Sequence, residues 1–132
     1  MREIKFRAWD RKQKRFVTYG FLGHDGLYYS GEGCEIYGSD KHVEVQMFTG
    51  IHDKTGKSVY EGDLFGELGG DRDRPGEYEV HGQVKWDNDL SMFVIELTNG
   101  GWMELYEYMI GPERVRAREV IGNIYENPEL LQ

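Results

Sequence analysis

Apolar and polar positions alternate with period two over several short stretches of the chain. Ile4, Phe6 and Ala8 interleave with Lys5, Arg7 and Trp9, and Val43-Glu44-Val45-Gln46-Met47 repeats the pattern. Successive side chains on a strand point to opposite faces, so each stretch predicts a strand with one buried and one wetter face. The polar run Asp10–Arg15 reads as a hairpin turn, after which Phe16–Tyr19 returns. Further strands are predicted over 59–65, 80–86, 92–97 and 119–125. Asp53-Lys54-Thr55-Gly56 is a strong turn signal between Ile51 and Val59, because its glycine supplies a positive φ without steric cost. Glu61-Gly62-Asp63 punctuates the chain again before Leu64-Phe65, and Asp87-Asn88-Asp89 and Asn99-Gly100-Gly101 bracket the strand over 92–97.

Other stretches have weaker patterns. Residues 20–42 are rich in Gly and Tyr and read as short strands and loops, and 66–79 reads as a loop longer than an ordinary connection. Residues 102–118 are ambiguous. Met103, Tyr106 and Ile110 have helical spacing, but Gly111-Pro112 ends any helix there. Asn127-Pro128-Glu129-Leu130-Leu131 predicts a short helical turn, with Asn127 as its N-cap and Pro128 at the first position.

Composition explains how a chain only 39% apolar can form a core. Nine Tyr, six Phe and three Trp make it 14% aromatic, and each large ring can bury about 150–250 Å². At 132 residues the chain suits one domain and needs no metal or disulfide staple. Its one cysteine, Cys34, rules out an internal disulfide and fits a cytosolic setting. The start Met1-Arg2-Glu3-Ile4-Lys5 lacks the apolar core of a signal peptide. No run approaches the ~20 apolar residues of a membrane helix, so no membrane association is expected.

The net charge of −8 opposes a strong non-specific grip on nucleic acid, which depends on Lys and Arg neutralising phosphates. The charge is uneven. Seven basic and two acidic residues give 1–15 a charge of +5, and nine basic against twenty-two acidic leave −13 on the rest. The simple reading is a solvated basic head attracted to an acidic body; the sharper one is a basic contact surface.

The motifs of catalysis and metal binding are missing. The histidines at 24, 42, 52 and 81 share no i, i+4 spacing and form no His-Glu-x-x-His. Cys34 and His42 lack a second thiol at finger spacing. Asp71-Arg72-Asp73-Arg74-Pro75-Gly76 opens like a calcium loop but has Gly82 where a bidentate Glu is required. Gly31-Glu32-Gly33 opens like a phosphate loop but has Ile36 at the third glycine position. No serine has an obvious His partner. Glu61 and Asp63 would share a face if their segment were a strand, which leaves acid/base chemistry conceivable. The plainer reading is that Gly62 makes a bend and Asp63 bonds nearby backbone amides. No catalytic, cofactor-binding or metal residue is therefore assigned, and no cofactor is expected.

Gly50-Ile51-His52-Asp53-Lys54-Thr55-Gly56-Lys57-Ser58-Val59-Tyr60-Glu61-Gly62-Asp63 strongly resembles a motif of the YopX family of phage and prophage proteins. The opening Arg2–Asp10 and the closing Glu119–Leu131 resemble the family's first strand and its end signature. The resemblance implies a mainly β fold, with an SH3-like barrel, additional N-terminal strands and little helix. It also implies a bacterial or phage gene and action in the host cytoplasm, and it brings no catalytic residue. Short strands at turn-delimited spacing suit a small barrel too. The expected layout is one domain over 1–132, with N-terminal hairpins and loops over 1–50 and a barrel-like core with a C-terminal turn over 51–132.

With active-site motifs missing and aromatics abundant, the expected role is non-enzymatic binding of a protein, which can include a second copy of the chain. The candidate interaction residues are Arg7, Trp9, Tyr60, Asp63, Trp86 and Trp102, since Trp and Tyr dominate interface hot spots; for Trp9, Tyr60, Trp86 and Trp102 taken singly, core packing is the plainer reading. The alternatives are nucleic-acid binding through the basic 1–15 segment, with Phe6 and Trp9 as stacking rings, and acidic mimicry of DNA against a host enzyme. An enzyme or metal protein centred on Glu61, Asp63 and a nearby His is the remaining reading.

Overall fold

The computed structural model describes residues 4–17, 21–22, 28–29, 43–68, 78–111 and 119–131. The chain is mainly β and divides into two compact units, Met1–Phe48 and Thr49–Gln132.

In the first unit β1 (Phe6–Asp10) pairs antiparallel with β2 (Arg15–Phe16), with Trp9 opposite Phe16. The polar turn between them forms as predicted. The Asp10 carboxylate accepts the N–H groups of Lys12 and Gln13, and Lys14 takes a positive φ of 54°. On its other side β1 pairs with the first half of a long strand, β5 (Val43–His52). Between them in sequence, β3 (Phe21–Leu22) and β4 (Tyr28–Tyr29) form a small ribbon.

Simple alternation fails in β1. Ile4, grouped by period with the apolar set, lies before the strand and is 73% exposed. Trp9, assigned to the wetter face, is 7% exposed. Its ring meets Phe16 edge-on at 5.0 Å, and the Arg7 guanidinium lies 4.7 Å from the centre of the same Phe16 ring. The short return strand covers the face that the pattern left to solvent.

In the second unit β5 ends beside β6 (Ser58–Tyr60). A five-stranded antiparallel sheet follows in the order β10-β9-β8-β7-β11, built from β7 (Asp63–Leu68), β8 (Tyr78–Asp87), β9 (Met92–Leu97), β10 (Gly101–Glu104) and β11 (Glu119–Asn123). It curls into a half-barrel. Val59, Phe65, Val84, Ile95, Leu105, Tyr108 and Val120 form its core. The predicted strand over 59–65 is two strands, because a turn at Glu61–Gly62, with Gly62 at φ +85°, interrupts it. Both ends of the predicted 66–79 loop are strand, since β7 runs to Leu68 and β8 begins at Tyr78; the rest of that prediction lies outside the described residues.

The centre of this sheet is irregular in an organised way. Phe65 pairs with Gly82 and Gly66 with Val80, which leaves His81 as an extra residue on β8. Phe65 pairs with Val120 and Leu64 with Gly122, which leaves Ile121 extra on β11. Both neighbours of β7 therefore bulge beside Phe65, and bulges bend strands and increase twist. Gly66 is required there. A Cβ on it would lie 2.2 Å from the Glu79 carbonyl oxygen and 2.5 Å from Ile121 Cδ1.

Residues 102–118 resolve in part. Gly101–Glu104 is strand β10, and α1 (Leu105–Ile110) follows, ending at Gly111 in extended conformation. The stripe read as Met103, Tyr106 and Ile110 has the wrong phase. The helix buries Leu105 and Tyr108 and exposes Tyr106 and Ile110, because the helix begins only at Leu105. Residues 112–118 lie outside the described residues.

The C-terminal turn is a 3-10 helix, Pro128–Leu131. Asn127 does not cap it as expected. Its side-chain oxygen turns back to accept the N–H of Asn123 at 3.2 Å. Among the described residues, no helix is long and apolar enough to cross a membrane.

Candidate interaction surface

The most distinctive sequence motif builds structure. Asp53 is 5% exposed. Its Oδ1 accepts the N–H groups of Thr55 and Lys57, both at 2.9 Å, and the Thr55 hydroxyl at 2.6 Å. Its Oδ2 accepts the Val120 N–H at 3.0 Å. Burial pushes this carboxyl up, but the Thr55 hydroxyl and the backbone N–H groups of Val120, Lys57 and Thr55 outweigh it and hold the group below its usual range. Gly56, at φ +91°, donates its N–H to the Asp53 carbonyl and closes the turn.

The second half of the motif works similarly. Asp63, 1% exposed, accepts the Tyr60 N–H at 2.8 Å. The Gly62 N–H donates to the Val84 carbonyl, and the Gly62 carbonyl accepts from Ile124 N–H. The bend at Gly62 separates Glu61 from the strand that Asp63 begins, so the strand periodicity that would have placed them on one face does not apply. Asp63 lies at a buried backbone junction, and Tyr60 beside it is half-buried.

Arg7 and Trp9 belong to the first unit. Arg7 donates from Nε to the Gln46 side-chain oxygen at 2.6 Å, and Trp9 is packed against Phe16. In the basic head Arg11 pairs with Glu44, while Lys12, Lys14 and Arg15 are exposed. Cys34, His24, His42, the glycine-rich 31–33 stretch and the acidic 71–76 stretch lie outside the described residues.

Of the candidate residues, Trp86 and Trp102 remain strongly exposed, at 43% and 55%. Strand alternation separates them. Trp86 sits opposite Phe93 on the face shared with Val84 and Ile95, its ring edge-on to Phe93 at 4.9 Å. Trp102 sits opposite Glu96 on the other face, with Lys85 and Val94. A groove of about 400 Å³ is lined by Lys85, Asp87, Val94, Glu96 and Trp102, and Trp86 also contributes to its lining. Lys85 donates from Nζ to Glu96 Oε2 at 2.8 Å, and Asp87 Oδ1 accepts the Leu90 N–H. The groove thus combines an exposed indole, an aliphatic wall and carboxylates that outnumber its single ammonium.

Sequence reasoning found both tryptophans but missed Glu96, Lys85 and Asp87, whose convergence depends on cross-strand register. It also missed Tyr106 and Ile110 as exposed apolar residues, at 57% and 61%. They stand one helical turn apart and share a face of α1.

A structure of similar fold is that of protein EF1440 from Enterococcus faecalis. It aligns over 100% of both chains at 20% identity with a TM-score of 0.53. No curated protein matches the chain. The family model described as YopX protein matches residues 5–132, in agreement with the motif over Gly50–Asp63 and its two flanking signatures. The chain belongs to the YopX family.

Proposed function

We propose that this protein acts by binding another protein rather than by catalysis, and that the groove beside Trp102 receives a basic segment of the partner. The observation that carries this reading is the exposed Trp102 indole over a groove of about 400 Å³ edged by Asp87 and Glu96. An indole face attracts Arg and Lys, and neighbouring carboxylates add charge complementarity. The net charge of −8 favours approach of a basic partner over an acidic one. The two buried carboxylates of the motif, Asp53 and Asp63, support the reading because they hold backbone N–H groups and a turn hydroxyl, which is structural work. The family resemblance supports a phage or prophage gene product working in a bacterial cytoplasm.

The test is selection of displayed peptides against the immobilised protein, repeated with Trp102→Ala. Enrichment of Arg- or Lys-bearing segments that the variant fails to bind supports the reading. Peptides that bind both proteins equally would overturn it. So would salt-dependent binding to single-stranded DNA that disappears on charge reversal at Arg11, Lys12, Lys14 and Arg15.

A further inference from the structure

Glu67 on β7 and Glu79 on β8 are direct cross-strand partners, and His81 is the extra residue of the bulge two positions further on. Two carboxylates placed opposite each other in an antiparallel pair repel, and the pairing is destabilising unless something offsets it. Glu67 and Glu79, opposite each other, share a face, and the bulge turns His81 toward them. One ligand atom from each of Glu67, Glu79 and His81 comes within 4.8 Å of the other two. His81 Nε2 lies 3.4 Å from Glu67 Oε1, an ion-pair distance without hydrogen-bond geometry; the two side chains are 35% and 40% exposed, so the cluster is open to solvent although the nitrogen itself is covered. Bulges re-aim side chains and are frequent beside functional sites.

We propose that Glu67, Glu79 and His81 form a binding site for a divalent cation of the zinc type. The site is independent of the groove beside Trp102. One imidazole nitrogen and two carboxylate oxygens form a mixed donor set that suits zinc and its first-row neighbours better than the all-oxygen preference of calcium or magnesium. Three protein ligands leave a fourth position for water or for a donor from a partner. A cation there converts the Glu67–Glu79 repulsion into shared attraction and gives the His81 nitrogen, which makes no hydrogen bond, a ligand bond. This goes against the sequence expectation of no metal ligands. His81 has no ligand neighbour at motif spacing, and only strand register and the bulge bring Glu67 to it.

The experiment is calorimetric titration of the tag-free, chelator-stripped chain with zinc, with magnesium as the control, alongside thermal melts with and without zinc. The expected result is one zinc bound per chain, no comparable uptake of magnesium, and a higher melting temperature with zinc. Glu67→Gln should lose the zinc site and its thermal gain, yet melt higher than the parent without metal, because it removes a like-charge contact. His81→Asn should lose the site without that metal-free gain. Absence of stoichiometric zinc binding overturns the proposal. So does binding that survives Glu67→Gln or His81→Asn, which would place the metal elsewhere.

Discussion

The carboxylate of Asp53 accepts the backbone N–H of Val120 at 3.0 Å, across 67 residues of sequence. A turn near the start of the second unit is thereby tied to its last strand. Removing the side chain leaves a buried N–H without its acceptor and opens the turn over Thr55 and Lys57. Asp53→Ala should cost about 2–4 kcal/mol, the range for losing charged hydrogen bonds and stranding a buried donor. Urea denaturation would show it as a lower midpoint at unchanged slope.

The same carboxyl predicts a pH dependence. Its folded pKa is below the ordinary 3.8. Its ionised form therefore stabilises the fold fully above the unfolded-state value, and that contribution is lost as pH falls through the depressed folded one. The stability gap between the parent and Asp53→Asn should be constant near neutrality and shrink below about pH 4. Denaturation curves at a series of pH values would check this, and a gap that widened on acidification would contradict it.

Glycines in this chain should respond differently to one added methyl group. Gly56 has φ +91°, and a Cβ added to it would meet nothing within 4 Å, so Gly56→Ala should cost only backbone strain, about 1 kcal/mol. Gly66→Ala drives its Cβ into the Glu79 carbonyl and should cost about 3 kcal/mol, the upper part of the overpacking range. Thermal melts of the two variants should keep that order.

Among the tryptophans, Trp102→Ala should change stability by less than about 0.5 kcal/mol, as surface substitutions do, while removing partner binding. Trp9→Ala should cost about 3–5 kcal/mol, because its ring is buried against Phe16. Denaturation of both variants, paired with peptide binding, would separate a contact residue from a packing one.

The turns were legible in the sequence because their chemistry is local. Asp53, Thr55 and Gly56 bond one another within a few residues, as do Asp10, Lys12 and Gln13. The β class was legible from period two, and the family from the motif around those turns. The depth of Trp9, plain for a large ring taken singly, was not legible from period two, since it depends on Phe16 returning over the wetter face. The phase of α1 was not, because Met103, the first apolar position counted, belongs to β10 and the helix starts only at Leu105. The groove and the Glu67–Glu79–His81 cluster depend on register, and both bulges shift register by one residue without a distinctive residue pattern to announce it.

The paired bulges beside Phe65 give the half-barrel a fixed phase. A strand between regular neighbours can slide by two residues and keep its faces, whereas a one-residue slide inverts them. On β7 either slide would move Gly66 away from the Glu79 carbonyl and put a side chain in the gap only glycine fits. The sheet therefore has one permitted alignment, set by a missing side chain. A second copy offering an equivalent strand would have to reproduce both off-register neighbours at once, which makes the middle of this sheet a poor place for strand exchange; of its two end strands among the described residues, β11 already gives the N–H groups of Val120 and Asn123 to Asp53 and Asn127, which leaves β10 as the less protected edge.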